Sequence, residues 1–183
     1  MTNIAYNKNV LDFVAVAVQF CAILEKDEVQ PRAEWIDNML KLLPLLYVKA
    51  SLLPETWLVE DEELPTFVKE GDYMRVGNQV VTIMGEDDTY LDVFMDEMKY
   101  SDTPLSAFVS ENMADIYQDI RNFVSVYQFE LTDQMNDAVF ECTRTFREYW
   151  GQKLVNILRP LHALKYSDSP TMDEELNQED LWD

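Results

Sequence analysis

Between Arg144 and Lys165 the chain carries the basic side chains Arg144, Arg147, Lys153, Arg159 and Lys165 and its single histidine, His162, against one acid, Glu148. Elsewhere acids dominate: 35 Asp and Glu stand against 14 Lys and Arg, a formal net charge of -21. A positive stretch inside a negative protein is either neutralised by its own fold or offers a strip for an anion or a partner. On a helix turning about 100° per residue, Arg144, Arg159 and His162 share one direction, with Arg147 to one side, opposite Phe146, Trp150 and Ile157. Trp150, Gln152 and Asn156 adjoin this group, and Gly151 would admit a close approach of backbone or ligand. Together they form the candidate site for an acidic partner or a phosphate-bearing molecule. The ordinary alternative pairs the same bases with the acidic shell.

Carboxylates supply the second candidate chemistry. Glu111, Asp115 and Asp119 fall on one helix face and could contribute to an oxygen-only Mg²⁺ or Ca²⁺ site. A solvated face is the ordinary reading of the same spacing. Metal sites in helical bundles draw on Glu-x-x-His, which does not occur here, and one histidine in the whole chain argues against zinc. The Glu86-Asp87-Asp88 run with Asp92 lacks the sixth-position glycine and twelfth-position glutamate of a calcium loop; it reads as a helix end at Gly85 followed by a cap for the next helix. Neither Cys21 nor Cys142 lies near His162 in sequence, and no Gly-x-Ser-x-Gly occurs. With no nucleophile, base and orienter assembled, neither catalysis nor a cofactor is expected.

Charge and composition bound the remaining classes. The acid excess opposes direct binding to nucleic acid phosphates and to anionic membranes. Apolar residues at 48%, with 9 Phe, 9 Tyr and 4 Trp, are too many for a disordered chain, and only 4 Gly and 7 Pro are too few for a turn-rich sandwich or barrel. Helices are favoured. Phe13 to Leu24 is an apolar run too short to span a bilayer, with Asp12 where a signal peptide would be positive; the expectation is a cytoplasmic protein with reduced cysteines.

Those side chains must be positioned by helices. Val10, Phe13, Val14, Ala17, Val18, Cys21 and Leu24 repeat at three and four, though Val14, Val16 and Val18 also alternate; length decides for a helix. A second helix follows Pro31 and runs to Pro54, with Pro44 expected to kink or break it. Glu55 to Pro65 reads as a solvated loop, and Tyr73 to Met84 as a third helix closed by Gly85. Tyr90 to Met95 form a short element of undecided type. Pro104 signals the start of a long amphipathic helix over Leu105 to Tyr127, and a last helix starts near Thr132 and runs past Leu164. The last two predict an antiparallel hairpin over Pro104 to Tyr166. Beyond Ser167 lie seven of the acids and no base, so 167–183 is expected to be a disordered acidic tail, leaving 28 acids against 14 bases in a helical domain over 1–166.

Four separated segments resemble landmarks of one family. Leu42-Leu43-Pro44-Leu45-Leu46-Tyr47, Gly85-Glu86-Asp87-Asp88 followed by Tyr90-Leu91, Ala114-Asp115-Ile116-Tyr117-Gln118-Asp119, and Tyr149-Trp150-Gly151-Gln152-Lys153-Leu154-Val155-Asn156 with His162 are similar in order and spacing to the uncharacterised bacterial family called domain of unknown function 5063. The resemblance spans roughly Val10 to Leu164. It implies a helical protein of the bacterial cytosol, common in the Bacteroidota, and transfers no activity, cofactor or catalytic residue.

The reading that results is a single all-α domain, a bundle of six to seven helices. Its expected role is a non-catalytic protein-interaction or regulatory module whose partner is another protein. The rivals are a divalent-metal-binding protein or hydrolase using clustered carboxylates, and an acidic nucleic-acid mimic that occupies a basic groove of an enzyme acting on nucleic acid.

Overall fold

The computed structural model describes residues 4–59, 63–92, 105–132 and 134–167. Val10, Phe13, Ala17, Phe20, Cys21 and Leu24 are buried along helix α1 (Lys8–Leu24) while Val18 faces solvent. The period is therefore that of a helix and not of the alternating valines. Asn7 starts α1, its side chain accepting from the Asn9 amide at 2.9 Å. Helix α2 (Arg32–Ser51) runs unbroken through Pro44, and Trp35, Met39, Leu43 and Leu46 hold it to the core. Helix α3 (Glu70–Met84) ends at Gly85, whose φ of 58° is the positive value the sequence reserves for glycine there.

The all-α expectation needs correction. Residues Leu105–Phe108, expected to open a helix, form strand β2, which pairs antiparallel with strand β1 (Thr89–Asp92), Thr89 opposite Phe108 and Asp92 opposite Leu105. Pairing along this short ribbon satisfies backbone groups that a helix would otherwise take, and local periodicity does not register a partner 13 to 19 residues away. Helix α4 (Val109–Gln128) begins only after the ribbon ends. Its first turn is capped through space: the buried Asp88 accepts from the Ser110 amide at 2.7 Å and from the Ser110 hydroxyl at 2.6 Å. This places a negative charge at a helix N-terminus, where the peptide dipoles favour it. The start signal at Pro104, and Val93, Phe94 and Met95 of the undecided element, lie outside the described residues, as does the tail from 168 onward.

Helix α5 (Met135–Thr145), a π-helical turn (Phe146–Trp150) and helix α6 (Gly151–Tyr166) form one continuous rod. Counting it once, the described residues hold five helical rods rather than six or seven. The rod packs back on α4 as one arm of a hairpin, and α3 covers α4 to the same extent. The wide turn has a sequence cause. Cys142, Phe146, Trp150 and Leu154 follow at intervals of four, and on a regular helix such a row drifts about 40° per step away from the core. A π-turn absorbs the drift, so that Cys142, Trp150 and Leu154 are buried and Phe146 packs against the core. The Gly151 amide closes the turn on the Phe146 carbonyl. A Cβ on Gly151 would collide with that oxygen and lie 2.9 Å from two Phe146 ring carbons.

Candidate functional site

The family-like segments, far apart in the chain, converge around the π-turn. Tyr47 meets the Phe146 ring edge-on at 5.1 Å, and Phe146 lies 4.8 Å from Trp150. Lys153 forms an ion pair with Asp115 at 2.7 Å, and the Tyr73 hydroxyl donates to the same carboxylate at 2.8 Å. Asn112 donates to the Tyr90 hydroxyl at 2.5 Å, and Asn156 to Asp92 at 3.2 Å while accepting from Gln152 at 2.7 Å. Asp115, Lys153, Tyr73 and Asn156 thus lock α3, α4, α6 and the ribbon together. Burial opposes the Lys153 charge, but Asp115 outweighs it and the ammonium is held more firmly protonated. Burial, then the Asp115 hydrogen bond, pushes the Tyr73 phenol up. Both shifts move away from neutral pH, which suits a latch and not a proton shuttle.

The basic residues picked out by the sequence do not act as one strip. Arg144 grips Glu141 at 2.9 and 2.5 Å and Glu148 at 2.6 Å. Arg147 faces Glu55 at 3.7 Å between exposed side chains, Lys153 is taken by Asp115, and Lys165 by Asp37. Arg159 and His162 are exposed, His162 with its ring 4.7 Å from Tyr166, and Arg159 makes no ion pair among the described residues. Trp150 is wholly buried and has no solvent-facing edge to offer a partner; Gln152 is exposed. The π-turn also slips the phase of α6 against α5, so a constant 100° per residue, roughly the angle of a regular helix, does not carry Arg144 onto Arg159 and His162.

The three carboxylates separate as well. Glu111 faces solvent, Asp115 is committed to Lys153 and Tyr73, and Asp119 lines a different surface, a cleft of about 530 Å³ between Leu58, residues 63–66 and helices α4 and α5. No group of three or more metal-ligating side chains gathers among the described residues. The cleft is walled by Leu58, Leu64, Phe123, Val126 and Ala138, with Asp119 and Glu141 among its polar lining. Asn122 fixes its outer wall by accepting from the Phe67 and Val68 amides at 2.8 and 2.9 Å. Burial, then the charges of Glu141 and Asp115, raises the Asp119 carboxyl to about 6, against the pull of Arg144. Its Oδ2 is sealed from solvent without a hydrogen bond. Beside it, burial pushes the Cys142 thiol well up, so the thiolate needed for nucleophilic chemistry is suppressed.

Next to the cleft is a feature that sequence reasoning passes over as plain loop. Trp57, Leu58 and Val59 stand 70%, 56% and 61% exposed. Their backbone is pinned: Asn136 accepts from the Thr56 hydroxyl at 2.8 Å and donates to the Trp57 carbonyl at 2.9 Å, and the buried Asp137 accepts from the Val59 amide at 2.8 Å. Three consecutive apolar residues in an acidic loop are the one sequence signal that could have found it. No helix among the described residues is long and apolar enough to cross a membrane.

A family model described as a domain of unknown function (DUF5063) matches residues 4–167. The crystal structure of protein BF1032 from Bacteroides fragilis is 41% identical in sequence and superposes with a TM-score of 0.79, the match covering 92% of this chain and 99% of that one. A comparison with curated proteins gives no match.

Proposed function

The chain belongs to the family of domain of unknown function 5063, and from its own geometry we propose that it is a non-catalytic protein-interaction module of the bacterial cytoplasm. The observation that carries this reading is the pinned Trp57-Leu58-Val59 display. A free loop would turn such side chains inward, since fully burying each is worth about 1.5–3 kcal/mol. Here hydrogen bonds donated by Asn136 and accepted by Asp137 set the segment against α5 and leave its side chains outside. Tryptophan anchors of this kind dominate protein interfaces. The acid excess restricts the partner to one with a neutral or basic face.

The phenols and thiols, unlike the Asp119 carboxyl at about 6, support the same reading. The phenols of Tyr73, Tyr117 and Tyr127 and both thiols are pushed up, mainly by burial, away from the range where they would exchange protons at neutral pH. The test is affinity capture with the full chain from a Bacteroides lysate, wild type beside Trp57→Ala/Leu58→Ser. Proteins retained by the wild type are expected to be lost by the variant while its circular dichroism and unfolding midpoint stay unchanged. An identical set of captured proteins would remove the display from the interface and refute the reading.

A further inference from the structure

We propose that the cleft between Leu58, residues 63–66 and helices α4 and α5 is a receptor for a primary ammonium group on an aliphatic stem, with Asp119 as its counter-ion. The volume, about 530 Å³, is that of a ligand pocket and not of a packing defect. Leu58, Leu64, Phe123, Val126 and Ala138 supply walls for a hydrocarbon stem, and a carboxylate waits among them without a partner. A largely enclosed carboxylate with no hydrogen bond, facing only an Arg144 already held by Glu141 and Glu148, is costly, and a cation entering the cleft would relieve it.

The surrounding charges define which cation. Asp119 is faced by Glu141 and Arg144 from α5 and by Asp115 from its own helix, with Glu63 on the cleft's outer segment. Both oxygens of Glu141 are taken by Arg144, and Asp115 is taken by Lys153. Among the described residues one carboxylate therefore remains uncommitted on the floor, which matches a single positive charge; a divalent ion would need several oxygen ligands. Because Oδ2 is sealed, Asp119 presents one oxygen rather than two. A planar guanidinium fork needs both, whereas an ammonium is a point donor and needs one. A bound ammonium would stabilise the ionised form of Asp119 and so draw its raised carboxyl back down. The site adjoins the Trp57 display through Leu58 but stands on other residues and does not rest on it.

The experiment follows the Asp119 carboxyl carbon and the methyl groups of Val126 and Ala138 by NMR in the full chain, as n-pentylammonium chloride is added. Saturable shifts are expected, with the Asp119 midpoint falling by about one pH unit, which corresponds to about tenfold tighter binding to the ionised carboxylate than to the neutral acid. Neutral n-pentanol should leave that midpoint in place, Asp119→Asn should remove the saturable shifts, and Trp57→Ala should retain them. Shifts equal with pentanol, persistent in folded Asp119→Asn, or absent altogether would overturn the proposal. Two further probes separate the sources of the ligand: tighter binding of 1,5-diaminopentane marks a free diamine, and tighter binding of Nα-acetyl-lysine methylamide marks a lysine side chain of a bound protein.

Discussion

Replacing Gly151 by alanine tests the account of the π-turn most directly. In an ordinary helix this change is favourable by about 1 kcal/mol, because alanine loses less backbone freedom on folding. At Gly151 the added Cβ meets the Phe146 carbonyl oxygen, which the Gly151 amide already holds, and two ring carbons at 2.9 Å. The oxygen belongs to the backbone and cannot rotate away. The ring cannot withdraw freely either, since Tyr47 lies 5.1 Å on one side and Trp150 4.8 Å on the other, with Trp150 stacked in turn 6.4 Å from Phe13. Overpacking of a well-filled core costs about 1–3 kcal/mol, and a backbone collision belongs at the upper end. After subtracting the helix gain, Gly151→Ala should destabilise by about 2 kcal/mol, lowering Tm by about 4–8 °C for a domain of this size. Gly77 provides the control: its added Cβ would lie 3.9 Å from Ala114 Cβ, an ordinary contact, so Gly77→Ala should be neutral or stabilising by up to about 1 kcal/mol. Urea unfolding followed by circular dichroism reads both. Equal midpoints for the two variants, or a Gly151→Ala chain as stable as the wild type, would refute the steric argument.

Other perturbations have signs set by the same structure. With its folded carboxyl at about 6 against an ordinary value near 4, Asp119 binds its proton more tightly in the folded chain; the stability this confers is present at low pH and lost as pH rises through about 6. Asp119→Asn should therefore be more stable than the wild type by about 2–3 kcal/mol at pH 8 and nearly equal to it below pH 4; a difference in urea midpoint that does not change with pH would contradict this. Lys153→Met leaves the largely buried Asp115 without its ammonium and should cost about 2–4 kcal/mol; adding Asp115→Asn should recover part of the loss in a double-mutant cycle. Asp88→Ala removes the through-space cap of α4 and should cost about 1–2 kcal/mol, with Asp88→Asn milder, as measured by thermal unfolding.

How much of this was legible in the residues depended on the range over which each signal acts. The stripe Val10, Phe13, Ala17, Cys21 and Leu24, the stop at Gly85 and the apolar face of α4 follow from contacts within a turn or two of helix, and the observed elements lie where those spacings place them. Residues 105–108 escape the same reasoning because their partner, the 89–92 strand, lies across an intervening segment, and a ribbon overrides local propensity when it satisfies both backbones. The candidate sites fared according to the same distinction. Glu111, Asp115 and Asp119 share a helix face by spacing, yet one faces solvent, one binds Lys153 and one enters a cleft. Arg144 and Arg159 look aligned only if the helix is regular, and the π-turn between them breaks that premise.

Periodicity and charge alone established that the chain folds as helices around an apolar centre, with an acid-rich exterior, because burial of apolar side chains selects the 3.6-residue repeat without reference to any distant residue. Which carboxylate is neutralised, which tryptophan is sealed and which is displayed were decided only by assembly. Trp150 and Trp57 are the same residue type, and what separates them is the packing of Phe13 and Phe146 around one and the hydrogen bonds with Asn136 and Asp137 beneath the other. Electrostatic partners and hydrogen-bond anchors depend on distances of a few ångströms between residues up to 128 positions apart, as for Asp37 and Lys165, and no linear pattern encodes them.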